Sequence, residues 1–348
     1  MRPTKKSILF YFILSVFVGV GVLAIMGKFV KNFNLGLFAS FHFSYYLVPV
    51  VLFFFVYIID ALRLMIVTHQ LGFKVGFFDA VVNNMVGFFF TSMTPLAMGG
   101  QPFQIHHLTR IGIPSEDATN IVVSRFLEFM VTVLSFSLFA FKSVVSSLQD
   151  SAAISARLLA AGFGVSVVGF ILILFLFLKP QILVMLLRWA SRLPGFSVLK
   201  KKDVIEGLDR WIRRMKQSAK FLWQNRLPFM LLDTGLGVLS LCFMFSPLYY
   251  SLNIFTGVEG VSSFLRILAT ALLLNLVVFY LPTPGASGGT EAVYQLVFAD
   301  MTGNASGTLA AIVLWRFSTF YLQLGVTGLV IFTVGNVFGP ATVRRRAK

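Results

Sequence analysis

Charged side chains are scarce in this sequence, and acidic ones are scarcest. Only 12% of the 348 residues are charged, and 13 of these are Asp or Glu, whereas 57% of the chain is hydrophobic and its mean hydropathy is +0.86. A water-soluble globular domain of this size does not show such a balance. The composition therefore excludes a soluble protein and predicts a polytopic membrane protein.

Sulfur and imidazole groups are almost as rare as acids. The single cysteine, Cys242, lies in an apolar segment, which excludes an intrachain disulfide and a cysteine-rich metal site. The four histidines, including the adjacent pair His106 and His107, lack the spacing of a zinc motif, and no GxxxxGK[ST] motif for ATP occurs. We expect no metal ion, no cofactor and no ATP-driven step.

Long apolar runs are abundant. They last about 20 residues without the two-residue alternation of a barrel strand, so they predict membrane helices. The fold class we expect is an all-α polytopic membrane protein with about eight membrane helices. The runs cover 8–27, 46–67, 118–141, 156–178, 229–252, 262–282 and 307–335, with a weaker, more polar run at 77–94. The first run follows MRPTKK like a signal peptide, but it is too long and lacks a small-x-small cleavage site, which favours a spanning helix.

A basic segment lies between 179 and 226. It carries twelve Lys or Arg against three Asp or Glu, a net charge of +9, and positive-inside logic places it in the cytoplasm. Apolar residues recur at helical spacing from Val204 to Leu222, which predicts an amphipathic helix on anionic headgroups. Basic loops beside spanning helices ordinarily determine topology, so we expect no nucleic-acid partner.

Two stretches in the chain resemble each other. NNMVGFFFTSMTPLAMGGQ at 83–101 and NLVVFYLPTPGASGGT at 275–290 both contain Thr-Pro, three residues and Gly-Gly. An apolar segment with Arg-Phe follows each copy, at Arg125 and at Arg316. The pattern predicts two halves of similar layout, a first membrane repeat at 1–178 and a second at 227–348, separated by the basic segment 179–226.

The cationic segments decide the predicted topology. If 77–110 and 262–306 each enter the membrane partway, turn at TPxxxGG and return to the same side, both termini and 179–226 fall in the cytoplasm. The halves then form an inverted repeat with re-entrant broken-helix hairpins that enter from opposite sides. The alternative is a pair of tight turns outside the membrane. Inverted transporter repeats place their sites where helices are broken, because irregular backbone at membrane depth must line a cavity or lie buried in protein.

The candidate binding residues come from these hairpins and from charges in apolar surroundings. The hairpin candidates are Asn84, Thr94, Pro95, Gly99, Gly100, Gln101, Asn275, Pro284, Gly285, Gly288 and Gly289. The charged candidates are Asp60, Arg63, Arg125, Glu128, Glu291 and Arg316. Such charges are costly unless paired or hydrated. The spacing allows Asp60 with Arg63, and Arg125 with Glu128, to pair on one helix face, whereas Arg316 needs a distant partner, for which Glu291 is the candidate.

These motifs carry a family resemblance. TPLAMGGQP, IGIPSEDA before the helix with Arg125 and Glu128, and PTPGASGGTE resemble the flippase-like transmembrane domain that precedes the aminoacyltransferase domain in lysylphosphatidylglycerol synthases. The resemblance covers nearly the whole chain and implies movement of a modified phospholipid between leaflets. The chain ends at RRRAK without a transferase domain, so we expect it not to be an enzyme that makes aminoacyl lipid.

The function we expect is translocation of an anionic or aminoacylated phospholipid in the plasma membrane. Arg125 and Arg316 would engage the phosphate, and Glu291, Glu128 or Asp60 a cationic or hydroxylated headgroup, by a process that runs downhill or couples to an ion gradient. Two alternatives stay open at this point. One is a membrane-embedded transferase or accessory protein for lipid-linked sugars, and the other is a scaffold that does not transport. A homo-oligomer is compatible with all three.

Overall fold

The computed structural model describes residues 19–28, 36–94, 99–148, 156–182, 202–278 and 283–333, together with the single positions 13, 17, 30, 33, 34, 185 and 281. Helices joined by short turns make up these ranges, and no strand occurs in them. The predicted all-α class is confirmed.

Thirteen helices are defined within the described ranges. They are α1 Gly19–Lys28, α2 Gly36–Ala39, α3 Phe43–Gln70, α4 Phe77–Met93, α5 Gly100–Arg110, α6 Ser115–Leu148, α7 Ala156–Leu178, α8 Lys202–Lys220, α9 Leu227–Thr256, α10 Val261–Val278, α11 Gly289–Thr302, α12 Ala305–Arg316 and α13 Leu322–Thr333. Short π-helical turns join α8 to α9 at Phe221–Asn225 and α12 to α13 at Phe317–Tyr321.

Six apolar stretches of the described chain are long enough to cross a membrane. They are α3, α6, α7, α9, α10 and the continuous stretch of α12 and α13. The predicted count of about eight is not confirmed. From the first apolar run, the structure describes α1 at Gly19–Lys28 and the single positions 13 and 17, and α4 at 17 residues is shorter than a full span.

The segment 77–110 begins and ends at one end of the helix bundle. Phe73 and Val75 before α4, and Ile111 and Ile113 after α5, pack in a single hydrophobic cluster. Leu222, just after α8, lies in the same cluster. We call this the α8 end, and α4 and α5 pack against each other as they run from it into the bundle and back.

The segment 262–306 is placed in the opposite sense. Helix α9 starts at the α8 end, where Met230 joins the cluster around Leu222, and finishes at Thr256 on the other side. The Tyr249 ring packs edge-on against Phe264 near the start of α10, and Asn304 after α11 donates to the Phe255 carbonyl at 3.5 Å. Both ends of this segment therefore lie at the end of the bundle remote from α8.

Helix α8 packs on protein as well as presenting a basic face. Helix α8 packs against α6, where Trp211 Nε1 donates a hydrogen bond to Ser115 Oγ at 2.9 Å. Ile212 and Met215 of α8 are buried. Arg214 pairs with Glu116 at 3.2 Å but stays largely exposed. The sequence interpretation is corrected here, because part of the apolar face that we assigned to the membrane surface is covered by α6.

Candidate functional site

A cavity of about 630 Å³ lies at the centre of the bundle, between the two segments that contain TPxxxGG. The turn Pro284–Ala286 packs against the C-terminal end of α4. The two segments approach so closely there that a Cβ atom on Gly285 would lie 3.0 Å from the Ser92 carbonyl oxygen. Gly285 also has a φ of +59°, a conformation that glycine adopts without strain.

Eight of the candidate residues from the sequence line this cavity. They are Asp60, Arg63, Asn84, Gln101, Arg125, Asn275, Gly285 and Arg316. They come from six helices, α3, α4, α5, α6, α10 and α12, and from the Pro284–Ala286 turn, so residues far apart in the chain face one space. Sequence reasoning missed Gln104, which also lines the cavity, one helical turn after Gln101.

The other hairpin candidates shape the backbone around the cavity. Thr94 Oγ1 donates to the Phe90 carbonyl at 2.7 Å and accepts from the Gly99 amide at 2.8 Å, which links the end of α4 to the start of α5. A Cβ on Gly100 would lie 2.8 Å from the Gly87 carbonyl oxygen. Pro284 is buried, and Gly288 has a φ of +87° just before α11. Pro95 lies outside the described residues.

Glu291 and Arg316 meet, as predicted, although they are 25 positions apart. Arg316 Nε donates to Glu291 Oε1 at 2.8 Å, and both side chains are buried. Glu291 Oε1 also accepts from the Tyr321 hydroxyl at 3.1 Å, and its Oε2 accepts from the Gly288 amide at 2.7 Å. Glu291 therefore caps α11 and forms an ion pair with Arg316, and Arg316 itself lines the cavity.

The guanidinium of Arg316 is also enclosed by aromatic rings. Its Cζ lies 4.0 Å from the Phe320 ring centroid and 5.7 Å from that of Trp315. The π-helical turn at Phe317–Tyr321 brings Phe320 and Tyr321 round to the side of Arg316. Cation–π contacts of this kind favour a charged guanidinium where water is scarce.

A second set of charges joins three helices on another side of the cavity. Arg63 Nη1 donates to Asp60 at 3.1 Å, Nη2 to Glu128 at 3.3 Å, and Nε to Asp233 Oδ1 at 3.0 Å. Arg125 Nη2 donates to the Asp60 carbonyl at 3.1 Å and lies 3.5 Å from the Asp60 carboxylate. We call Asp60, Arg63, Arg125, Glu128 and Asp233 the five-charge cluster.

This cluster corrects two sequence interpretations. Asp60 and Arg63 do pair, but Glu128 bonds to Arg63 and Arg125 bonds to Asp60, so the pairing of Arg125 with Glu128 is wrong. Neighbouring helices supply better geometry than the turn of α6 that carries both residues. Asp233 was missed altogether, although it is completely buried. The sequence signal for Asp233 is an acid within the apolar stretch LPFMLLDTGLGVL. It was less conspicuous because Asp233 lies close to the start of the predicted span 229–252.

Three residues that line the cavity carry buried donor atoms without a hydrogen-bond partner among the described residues. These atoms are Arg125 Nε, Arg316 Nη2 and Asn84 Nδ2. Buried donors without partners are costly, and each one calls for a bound group or water. The arrangement suits an anion with several acceptor oxygens, since two guanidinium groups and an amide surround one space.

A polar network connects α4 and α5 between the cavity and the α8 end. Asn83 Nδ2 donates to the Gln104 carbonyl at 3.0 Å and lies 3.2 Å from His107 Nδ1. His107 is buried by this contact, whereas His106 is exposed. On the second segment, Tyr294 donates to the Ala271 carbonyl and to Asn275 Oδ1, at 3.0 and 3.2 Å. Asn275 thus faces the cavity with one of its polar atoms already engaged.

Comparisons with known proteins agree with the family resemblance. The model of the family described as the lysylphosphatidylglycerol synthase TM region matches residues 12–326. A curated relative, described as a UPF0104 membrane protein of Archaeoglobus fulgidus, is 25% identical over 280 residues, which cover 76% of this chain and 78% of the relative.

Proposed function

The chain belongs to the lysylphosphatidylglycerol synthase TM region family, and from this premise we propose that it moves a phospholipid headgroup between the leaflets through its central cavity. The observation that carries the proposal is the set of donor atoms without partners on Arg125, Arg316 and Asn84 around one cavity. A phosphodiester offers the acceptor oxygens that these donors require. Phospholipid headgroups are the phosphodiesters that a membrane supplies at this depth.

The size and wall of the cavity suit a lipid headgroup with its acyl chains left outside. A volume of about 630 Å³ lies within the range of small-molecule sites. Apart from Arg125 and Ser166, the wall formed by α6 and α7 is apolar. It includes Phe129 and Ile173, which are also exposed on the outer surface of the protein. This side of the cavity is the path that we propose for the acyl chains.

The acid that would contact a cationic headgroup is Asp60. Its side chain lines the cavity and is 25% exposed, whereas Glu291 is completely buried and has both oxygens engaged. We therefore assign the phosphate to Arg125 and Arg316, and an aminoacyl or hydroxylated headgroup to Asp60. The role of Glu291 becomes positioning of Arg316.

We further propose that the two TPxxxGG segments are re-entrant hairpins of an inverted repeat, an arrangement that supports a transport function. The first begins and ends at the α8 end, the second at the opposite end, and the Pro284–Ala286 turn of the second packs against the end of α4 in the first. Oppositely directed broken helices that meet at a binding site are typical of secondary transporters. We place the protein in the plasma membrane with α8 on the cytoplasmic side. The first hairpin then enters the membrane from the cytoplasm and the second from outside the cell.

Labelling of single cysteines tests this topology. In a Cys242→Ser background, cysteines at the exposed positions His106 and Thr109 should react with an impermeant maleimide only from the cytoplasmic side. Cysteines at the exposed Glu259 and Asp300 should react only from outside. Position 107 is unsuitable because His107 is buried. Reaction of 106 and 109 from outside would eliminate the hairpin topology.

Substitution of Arg125 tests the proposed lipid site. We expect Arg125→Gln to weaken binding and movement of a fluorescent phosphatidylglycerol by about tenfold or more, because a charge-assisted hydrogen bond contributes about 1.5–3 kcal/mol. Arg125→Lys should be intermediate, since lysine keeps the charge but loses the planar fork. The matched control is Arg266→Gln, which removes an arginine from the exposed side of α10.

The assay is leaflet-resolved quenching in proteoliposomes with phosphatidylglycerol, its lysyl ester or phosphatidylcholine as the labelled lipid. Melting temperature is measured on each variant. If Arg125→Gln alone is unstable, the double variant Asp60→Asn with Arg125→Gln is used, because it leaves the net charge of the five-charge cluster unchanged. Unchanged movement in folded Arg125→Gln contradicts the site assignment. A new lipid product in the extracted membranes would instead favour the transferase alternative.

A further inference from the structure

The five-charge cluster contains one more acid than it has cations. Asp60, Glu128 and Asp233 face the two guanidinium groups of Arg63 and Arg125, so full ionisation leaves a net charge of −1. Asp233 is completely buried and Glu128 is 5% exposed. A net charge enclosed in apolar surroundings is unfavourable, and one bound proton makes the cluster neutral.

The contacts indicate which acid would bind that proton. Both oxygens of Asp233 accept from Arg63, at 3.0 and 3.3 Å. Glu128 Oε2 accepts from Arg63 at 3.3 Å, but its Oε1 is buried without a hydrogen-bond partner among the described residues. Glu128 Oε2 and Asp233 Oδ2 accept from the same nitrogen, Arg63 Nη2, so the two carboxylates lie side by side. Protonation of Glu128 at Oε1 would therefore replace repulsion between two carboxylates with a hydrogen-bond donor.

We propose that Glu128, together with Asp233, forms a proton-binding site, and that proton uptake there is coupled to anion binding at Arg125. The inference rests on the proposed function, because the anion is the phosphate of the translocated lipid. Uptake of one proton with one phosphodiester adds no net charge to the cavity. A proton gradient across the membrane then drives movement of the anionic lipid.

The coupling runs through Arg125 and Asp60, which, like Arg63, belong to both the cluster and the cavity. Arg125 and Asp60 line the cavity and are 3.5 Å apart. An anion at Arg125 weakens the hold of this guanidinium on Asp60 and adds a negative charge beside the cluster. The charged groups that face Glu128 are Arg63 from α3, Arg125 from α6 and Asp233 from α9. Both effects of the anion favour protonation of Glu128, and linkage is reciprocal, so protonation strengthens anion binding.

The test measures binding of short-chain phosphatidylglycerol to the purified full chain between pH 5.5 and 8.5. We expect the dissociation constant to rise about tenfold per pH unit on the alkaline side of the titration, as the linkage of one proton requires. Mixing at weak buffer strength should show uptake of about one proton per lipid bound. Glu128→Gln should have a dissociation constant that does not depend on pH, whereas Glu259→Gln, which removes an exposed acid, should keep the wild-type slope.

The outcomes separate this inference from the proposed function. Binding and movement of the lipid without a pH slope or proton uptake overturn the proton site and leave the translocator intact. A slope retained in both Glu128→Gln and Asp233→Asn overturns the location. Absence of any phospholipid binding or movement overturns both proposals. If Glu128→Gln does not fold, Asp233→Asn and the wild-type proton uptake still decide the matter.

Discussion

Gly100→Ala should destabilise the protein by about 1–3 kcal/mol and abolish lipid movement, because the new Cβ meets backbone and not only side chain. It would lie 2.8 Å from the Gly87 carbonyl oxygen, inside the contact between α4 and α5, and would also collide with Thr91 Oγ1. A side chain can rotate away, but the carbonyl of a packed helix cannot. Separation of α4 from α5 would displace Gln101, which lines the cavity.

Two other glycines provide a graded comparison. The close neighbour of a Cβ on Gly289 is the side chain of Leu281, which can move, so Gly289→Ala should have a smaller effect than Gly100→Ala. Gly164 in α7 has open space at that position, so Gly164→Ala should be neutral or stabilise by up to about 1 kcal/mol. Melting temperature and movement rate are measured on all three. Equal behaviour of Gly100→Ala and Gly164→Ala would favour an ordinary turn over a close-packed hairpin.

The sequence predicted the parts of this molecule that depend on local chemistry. A helix that carries Thr-Pro and Gly-Gly must break there, so the two irregular segments could be found without a structure. The partner of Arg316 was found by elimination, since no acid lies within one turn of it and Glu291 sits on the matching segment. Both cases rest on the high free energy of irregular backbone or unpaired charge among apolar groups.

Contacts between helices that are far apart in the sequence could not be predicted from local patterns. Arg125 and Glu128 have the spacing of an ion pair, yet α3 offers each of them a different partner. Asp233 was a lone acid in an otherwise apolar run, and its role depends on Gly237, where a Cβ would lie 2.9 Å from Arg63 Cζ. Part of the apolar face of α8 is likewise covered by α6, and periodicity alone cannot distinguish such a contact from contact with lipid.

Glu291→Gln should lower stability by about 3–5 kcal/mol, because it leaves the buried guanidinium of Arg316 without its ion-pair partner. Arg316→Gln should also destabilise the protein, but less, since the carboxylate of Glu291 keeps its bonds from Tyr321 and the Gly288 amide. Both single variants should lose lipid movement. Gln at both positions removes both charges together, so the double variant should recover most of the stability.

The double variant separates a structural role from a functional one. If Arg316 contacts the lipid phosphate, as we propose, the protein with Gln at 291 and 316 remains inactive even when its melting temperature returns to the wild-type value. Removal of the exposed pair Asp209 and Arg213 on α8 is the matched control, and it should change neither quantity, since a surface ion pair contributes about 0–1 kcal/mol. Movement of lipid by the folded double variant at the wild-type rate would remove Arg316 from the binding site and leave the Glu291–Arg316 pair with a purely structural role.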